Sequence, residues 1–227
     1  MNDQVAPRPL VQVADTTVSR ARRGLDVVVA VLALLLATPL LVVAVLAIRR
    51  TSPGPVLFRQ TRVGVRGRPF TILKLRTMTV GAPGLDITVR GDPRVTRVGE
   101  VLRRTSVDEL PQLLNVLRGD MTLVGPRPET VELAGRYPID CRWVLQHTPG
   151  LTGPAQVRLR DVRVLEPGHG LPGATVGETT PIDPERWYLE QVVPRRVSLD
   201  ASYLRAPSLS HTIGVLVETG VYLLRGP

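Results

Sequence analysis

The segment from Leu25 to Ile48 restricts this chain more than any other. Its only non-apolar residues are Asp26 and Thr38, with Pro39 in the middle. A straight helix over this stretch reaches roughly 36 Å at ~1.5 Å per residue, enough to cross a hydrocarbon core of about 30 Å. It is too long, and too far from any small-residue cleavage site, for a simple signal peptide. Arg20, Arg22 and Arg23 precede it and Arg49 and Arg50 follow it. Basic clusters prefer the cytoplasmic side, so a hairpin that enters the bilayer and returns satisfies both, and a spanning helix satisfies one. Pro39 removes a backbone donor and kinks a helix. Thr38 beside it offers a hydroxyl to a freed carbonyl, which makes a break tolerable in lipid. Asp26 is expected to pair with a nearby arginine at headgroup level. A kinked spanning helix is the other form this composition allows. In both, the arginine-rich remainder is expected in the cytoplasm.

The charge balance says what such a membrane-bound domain handles. The chain of 227 residues carries a net charge of +9, and Lys74 is its only lysine. Arginine holds its charge at any relevant pH and grips phosphate through paired donors. A phosphorylated partner follows, whether nucleic acid, nucleotide or anionic bilayer, although a run of arginines is also what a merely solvated surface presents. Aromatic residues make up only 4% of the chain, too few for stacking on successive bases. The single Cys141 rules out an internal disulfide and a thiolate zinc site. His147, His169 and His211 are scattered and read as ordinary surface or core residues rather than metal ligands.

Local pattern divides the rest. Met1 to Thr17 reads as a loose tail. Val56–Val63 and Phe70–Met78 read as strands of a hairpin about a turn at Gly64–Pro69. Val80–Pro93 is a loop, and Glu100–Arg104 closes a short helix. Leu110, Leu113, Leu114 and Leu117 follow helical spacing, with Gly119 as the stop. Met121–Val124 is a short strand, Thr130–His147 a helix and Pro149–Pro154 a turn. Asp161–Asp183 is irregular. Pro184–Tyr203 is helical with a break at Pro194, and Ile213–Leu224 is an apolar helix that suits an interface.

The chemistry concentrates in Thr105–Asp120. Asp108 and Glu109 stand side by side where an apolar helix is expected to start, with Arg103 and Arg104 before them and the stiff cationic loop Pro126-Arg127-Pro128 after. One account is structural: Ser106 and Glu109 have capping-box spacing, or Asp108 is itself the cap. The other uses the same geometry. Donors at a helix start attract phosphate and steady an ionised carboxylate. An ionised Asp is a nucleophile toward phosphorus, and a neighbouring Glu can hold Mg2+ that bridges phosphate oxygens. Arg103, Arg104 and Arg127 then neutralise developing charge. Lys74, near Arg76, is either a phosphate contact or a solvated strand residue.

Four blocks resemble a known family. They are Ser52 through Gly64, Lys74-Leu75-Arg76-Thr77-Met78, Asp92 through Glu129, and Pro149-Gly150-Leu151-Thr152-Gly153. From about Arg22 to the end the chain is similar to the bacterial sugar transferases, the small monotopic polyprenyl-phosphate phosphoglycosyl transferases. The resemblance implies movement of a phosphosugar from a UDP-sugar to undecaprenyl phosphate, with UMP released and Mg2+ required. It implies that Asp108 forms a covalent phosphosugar intermediate and Glu109 assists with the metal. Lys74, Arg103 and Pro126, Arg127 and Pro128 fall on the family's substrate-binding positions, and Thr38-Pro39 falls at its re-entrant break. Thr148 and Pro154 depart from the family's pattern, where Arg and Trp are common. No acidic residue stands near His211.

The expected fold is therefore α+β: a mostly helical monotopic membrane protein with a re-entrant helix-break-helix, a small β-hairpin and a cytosolic catalytic domain. Its parts are a flexible tail over residues 1–19, a membrane hairpin over 20–50 and a phosphoglycosyl transferase domain with interfacial helices over 51–227. The expected site comprises Asp108 and Glu109 as catalytic and metal-holding residues, with Lys74, Arg76, Arg103, Arg104, Pro126, Arg127 and Pro128 on substrate. Expected partners are a UDP-sugar, undecaprenyl phosphate, membrane lipid and downstream glycosyltransferases, without nucleic acid, at the cytoplasmic face of a bacterial inner membrane. A membrane-anchored binding or scaffold protein without catalysis is the alternative class.

Overall fold

The computed structural model describes residues 18–81, 92–159 and 183–225. The expected N-terminal tail, most of the Val80–Pro93 loop, His169 and the irregular stretch after Asp161 lie outside the described residues.

The apolar segment forms one helix, α1 (Arg20–Thr51), of 32 residues, long and apolar enough to cross a membrane. Ser19 caps its start by accepting from the Arg22 amide. The helix runs through Pro39 without interruption, so the expected helix-break-helix is not seen as a gap in the helix. Thr38 Oγ1 donates to Leu34 O at 2.8 Å. That is the carbonyl four residues before Thr38; Pro39 deprives the carbonyl of Leu35 instead. Arg22, Asp26, Ala30, Ala44 and Ile48 form a buried stripe at helical spacing, while Leu32, Leu35, Leu36, Leu40, Val42 and Val43 are exposed.

β1 (Leu57–Val63) and β2 (Pro69–Leu75) pair antiparallel, from Leu57 opposite Leu75 to Val63 opposite Pro69. A 3-10 turn, Val65–Gly67, joins them. β2 stops short of the expected Met78, which instead bridges Val95. Helix α2 (Arg97–Thr105) is capped by Thr96. Gly99 lets it lie against the hairpin's exit, because a Cβ there would fall 2.0 Å from Thr77 O.

The expected helix around Leu110–Leu117 divides in two. Val107–Gln112 is a 3-10 turn holding Pro111, and α3 (Leu113–Arg118) follows, ended by Gly119 at φ 89°. β3 (Thr122–Val124) then pairs in parallel with β4 (Gly150–Thr152), a strand inside the segment expected to be only a turn. Between them the expected Thr130–His147 helix is broken by Pro138 into α4 (Val131–Gly135) and a 3-10 stretch, Ile139–Gln146. Helices α5 (Pro154–Arg158), α6 (Pro184–Trp187), α7 (Val193–Arg205) and α8 (Leu209–Arg225) complete the fold. The expected break at Pro194 takes the form of a π turn, Tyr188–Val192, in which the Val193 amide reaches Tyr188 O. Pro194 has no amide to continue an α ladder.

Two apolar clusters support the chain. The larger joins Ala30 of α1 to Leu113, Val116, Leu123, Val193 and Tyr203. The smaller joins Ala44 and Ile48 to Leu75, Leu102 and Val107. Leu110 packs against both. The turn carrying Asp108 and Glu109 is thus anchored to each half of α1 through a different cluster.

Candidate active site

Three segments distant in sequence meet at one oxygen. Lys74 Nζ, at the end of β2, donates to Glu109 Oε1 at 3.0 Å, and Arg127 Nη2 donates to the same atom at 3.2 Å. Asp108 lies beside them: its charge acts on both Lys74 and Arg103. Both carboxylate residues are nearly covered, Asp108 at 7% and Glu109 at 8% exposure. Burial pushes the Lys74 ammonium below the usual lysine range, against the pull of Glu109. Burial likewise lowers Arg103, with Asp108 opposing it. For Arg127 burial is outweighed, and Glu109 foremost holds its guanidinium above the usual value.

The loop bearing Arg127 is fixed by its backbone. Gly125 donates to Thr152 O and Gly150 to Pro126 O, at 2.9 and 2.8 Å. The two glycines cross so closely that a Cβ on Gly150 would lie 2.1 Å from Gly125 N. From the hairpin, Val63 N donates to Glu129 O and Arg62 Nη1 to Pro128 O. Pro126 and Pro128 are buried around the half-buried Arg127.

The remaining expected residues have distinct places. Arg103 donates from Nε to Thr77 Oγ1 at 2.8 Å. Arg104 is exposed in the last turn of α2. Arg76 turns toward the end of the membrane helix, where its Nη2 donates to Ser52 O and Oγ at 2.8 and 2.9 Å. Asp26 does not pair with an arginine as expected; it accepts from Thr122 Oγ1 and Leu123 N and ties α1 to β3. The capping box expected from Ser106 does not form. Ser106 is left-handed at φ 58° and makes no side-chain cap bond, and the carboxylates sit in a 3-10 turn, not at an α-helix start.

Behind the loop lies a second cluster that local sequence did not indicate. Glu129 Oε1 accepts from Tyr188 OH at 2.6 Å and from Arg196 Nη1 at 2.7 Å. Arg196 also bonds the Tyr188 hydroxyl. Burial opposes the Glu129 charge, yet Arg196 and Tyr188 hold its carboxyl below the usual range. Asp200, one turn beyond Arg196, accepts from Ala155 N at 2.9 Å, and burial pushes its pKa up to about 6. Glu129 abuts the recognisable loop, but Tyr188 and Arg196 reach it from the distant π turn and from α7.

A dication cage built wholly from protein is absent among the described residues: no three His, Cys, Asp or Glu side chains converge. Mg2+ does not need one, since it commonly takes one or two carboxylates with water and substrate phosphates. The adjacent Asp108 and Glu109 fit that donor set. A carboxylate pair amid Lys74, Arg103 and Arg127 suits chemistry at a diphosphate, where anionic oxygens replace carboxylate oxygens as cation partners.

The sequence model described as bacterial sugar transferase matches residues 17–226. A UDP-glucose:undecaprenyl-phosphate glucose-1-phosphate transferase of Caulobacter vibrioides is 45% identical over 95% of this chain and 73% of its own length. A protein of the same description from Escherichia coli is 46% identical over 66% of this chain and 34% of its own. A UDP-N-acetylgalactosamine-undecaprenyl-phosphate N-acetylgalactosaminephosphotransferase of Aeromonas hydrophila is 43% identical over 60% of this chain and 33% of its own. The chain thus spans about a third of the latter two relatives. With the match running through the membrane helix, the carboxylate pair and the loop that meets it, the chain belongs to the bacterial sugar transferase family.

Proposed function

We propose that this protein transfers a sugar-1-phosphate from a UDP-sugar to undecaprenyl phosphate at the cytoplasmic face of a bacterial inner membrane. The observation that carries the reading is the convergence of Lys74 and Arg127 on Glu109, with Asp108 alongside. An Asp108 oxygen attacks the sugar-bearing phosphorus of the donor, the bond to the bridging oxygen breaks, and UMP leaves with that oxygen. A phosphate oxygen of undecaprenyl phosphate then attacks the same phosphorus and releases Asp108. The product is a diphosphate-linked lipid sugar. Lys74, Arg103 and Arg127 steady the charge on the phosphoryl oxygens in both steps. Asp108 and Glu109 would hold Mg2+, which would supply Lewis-acid neutralisation of the diphosphate. Pro126 and Pro128 stiffen the loop that brings Arg127 to Glu109, Arg76 fixes the end of α1, and Arg104, exposed in α2, is assigned to the substrate.

The reading includes a re-entrant α1. Its support is that both ends bond to one folded unit: Arg22 to Val124 O and Arg23 to Leu117 O near the start, Ser52 to Arg76 at the finish. A crossing helix puts its ends on opposite faces, about 30 Å apart. Thiol labelling of Arg8→Cys and Ser198→Cys in intact and opened cells tests this; labelling of the two from opposite sides would mean that the chain crosses.

The activity is tested by UMP release from a panel of UDP-sugars with membrane fractions. Multiple-turnover release is expected only with undecaprenyl phosphate and Mg2+ both present, and without the acceptor no more than one UMP per enzyme. Sustained turnover to UMP without a lipid acceptor, beyond one UMP per enzyme, or none with any sugar, would overturn the reading.

A further inference from the structure

A cleft of about 260 Å3 lies between the start of α1 and the tip of the β1–β2 hairpin, apart from the Glu109 cluster. Arg23, Arg66 and Arg68 line it, with Asp26, Gly119 and Thr148. Arg66 and Arg68 are exposed, and their side chains have no ion-pair or hydrogen-bond partner among the described residues. Arg23 is held by the carbonyls that end α3, donating to Val116 O at 2.5 Å and Leu117 O at 2.7 Å. Asp26 is the only carboxylate in the lining among the described residues, and Thr122 and Leu123 already engage it. Three guanidiniums therefore face one occupied carboxylate. Arg66 adopts φ 55°, a left-handed backbone that arginine enters at a cost.

The position of the cleft selects its ligand. From Val28 onward the outer face of α1 is exposed and apolar, through Val31, Leu32 and Leu35. The cleft thus sits where hydrocarbon gives way to headgroups. We propose that it binds the phosphodiester headgroup of an anionic phospholipid, distinct from the polyprenyl phosphate used in catalysis. Guanidinium pairs match a phosphodiester's two free oxygens. The exposed side chains further along α1 accommodate the acyl chains. A soluble phosphate shares the headgroup chemistry but gains nothing from that apolar neighbour.

The test uses full-length protein in a neutral detergent, with bound lipid counted by native mass spectrometry. The probes are short-chain phosphatidylglycerol, phosphatidylcholine of the same chain length, and inorganic phosphate as competitor. One phosphatidylglycerol is expected to bind saturably, phosphatidylcholine not to bind, and inorganic phosphate to compete only at far higher concentration. The double variant Arg66→Asn/Arg68→Gln is expected to bind roughly thirtyfold more weakly, as for two arginines at an anionic surface. Asn tolerates the left-handed position, and both sites are exposed, so folding is expected to survive. Arg59→Gln removes an exposed arginine of the same hairpin outside the cleft. Unchanged lipid binding in the double variant, an equal loss in Arg59→Gln, or equal competition by inorganic phosphate each overturns the proposal. None of these readouts involves turnover, so the outcome is independent of the proposed transferase activity.

Discussion

Two glutamates stand on either side of the Pro126–Pro128 loop, each bound to an arginine, and they are not equivalent. Glu109 in front shares one oxygen between Lys74 and Arg127, and the Arg127 side chain keeps 29% exposure. Glu129 behind takes Arg196 and Tyr188, with the two charged side chains at 14% and 5% exposure. An anionic ligand can reach the front pair through Arg127, whose side chain is about twice as exposed as that of Arg196. At the back, removing one partner leaves the other buried and unpaired, which is the costly case. The same type of contact therefore makes a chemical site on one side and a brace on the other.

Asp108→Asn breaks the front cluster at its reacting atom. UMP release is expected to fall by more than about a thousandfold, as for loss of a covalent nucleophile. Circular dichroism should remain unchanged. If turnover survives in this variant, Asp108 is not the nucleophile.

The rear cluster is next in effect. Arg196→Met is expected to destabilise the fold by about 3–5 kcal/mol in denaturant titrations, because Glu129 is left charged and buried. Adding Glu129→Gln should recover part of the loss. Activity at low temperature should change mainly through a higher KM for the UDP-sugar, as the Arg127 loop loosens. A stability unaffected by Arg196→Met would erase the distinction between the two sides.

Arg127→Met is expected to cost about a hundredfold in kcat, the scale of one lost transition-state donor. Its stability should change far less than that of Arg196→Met. The front cluster also predicts an alkaline limb in kcat/KM. Burial lowers the Lys74 pKa, so its positive charge is lost as pH rises through a value below the ordinary lysine range. Lys74→Arg should remove that limb even if it lowers the rate.

The smallest expected effect separates two neighbours of Arg196. Asp200 has a folded pKa of about 6 against an ordinary 3.8, so the folded protein binds its proton more tightly. Its ionisation reduces stability as pH rises from about 4 to 6, and the cost persists above that. Glu129 is lowered instead, so its contribution is present above the ordinary glutamate pKa and is lost as pH falls through the folded one. Asp200→Asn keeps an acceptor for Ala155 and should raise neutral-pH stability by about 1–2 kcal/mol. Thermal melts from pH 4 to 7.5 should lose their Asp200-dependent slope.

Much of the site was legible because its residues cluster in sequence. Asp108 and Glu109 are adjacent, and the two prolines around Arg127 mark a stiff loop. The hairpin was legible from its alternating strands about Gly64–Pro69. The strand at Met121–Val124 was legible too, but its partner β4 was not, since a three-residue strand carries no periodic signal and the two meet where Gly125 crosses Gly150. The dyad's 3-10 turn was hidden because the leucine spacing continues through Pro111 as if one helix ran there. Arg196 and Tyr188 gave no signal at all, because what joins them to Glu129 is a π turn in a distant helix.

By itself the sequence determined that an apolar helix must leave water, that a carboxylate pair stands among arginines, and which family the blocks resemble. Those properties belong to composition and short-range order, so they persist in any conformation of the chain. Only the tertiary structure decided that Lys74 and Arg127 share one Glu109 oxygen, that Arg76 serves the membrane helix, and that Glu129 is braced from behind. Such assignments depend on which donors come within about 3 Å of which acceptors once the backbone is packed, and chain order does not encode that distance.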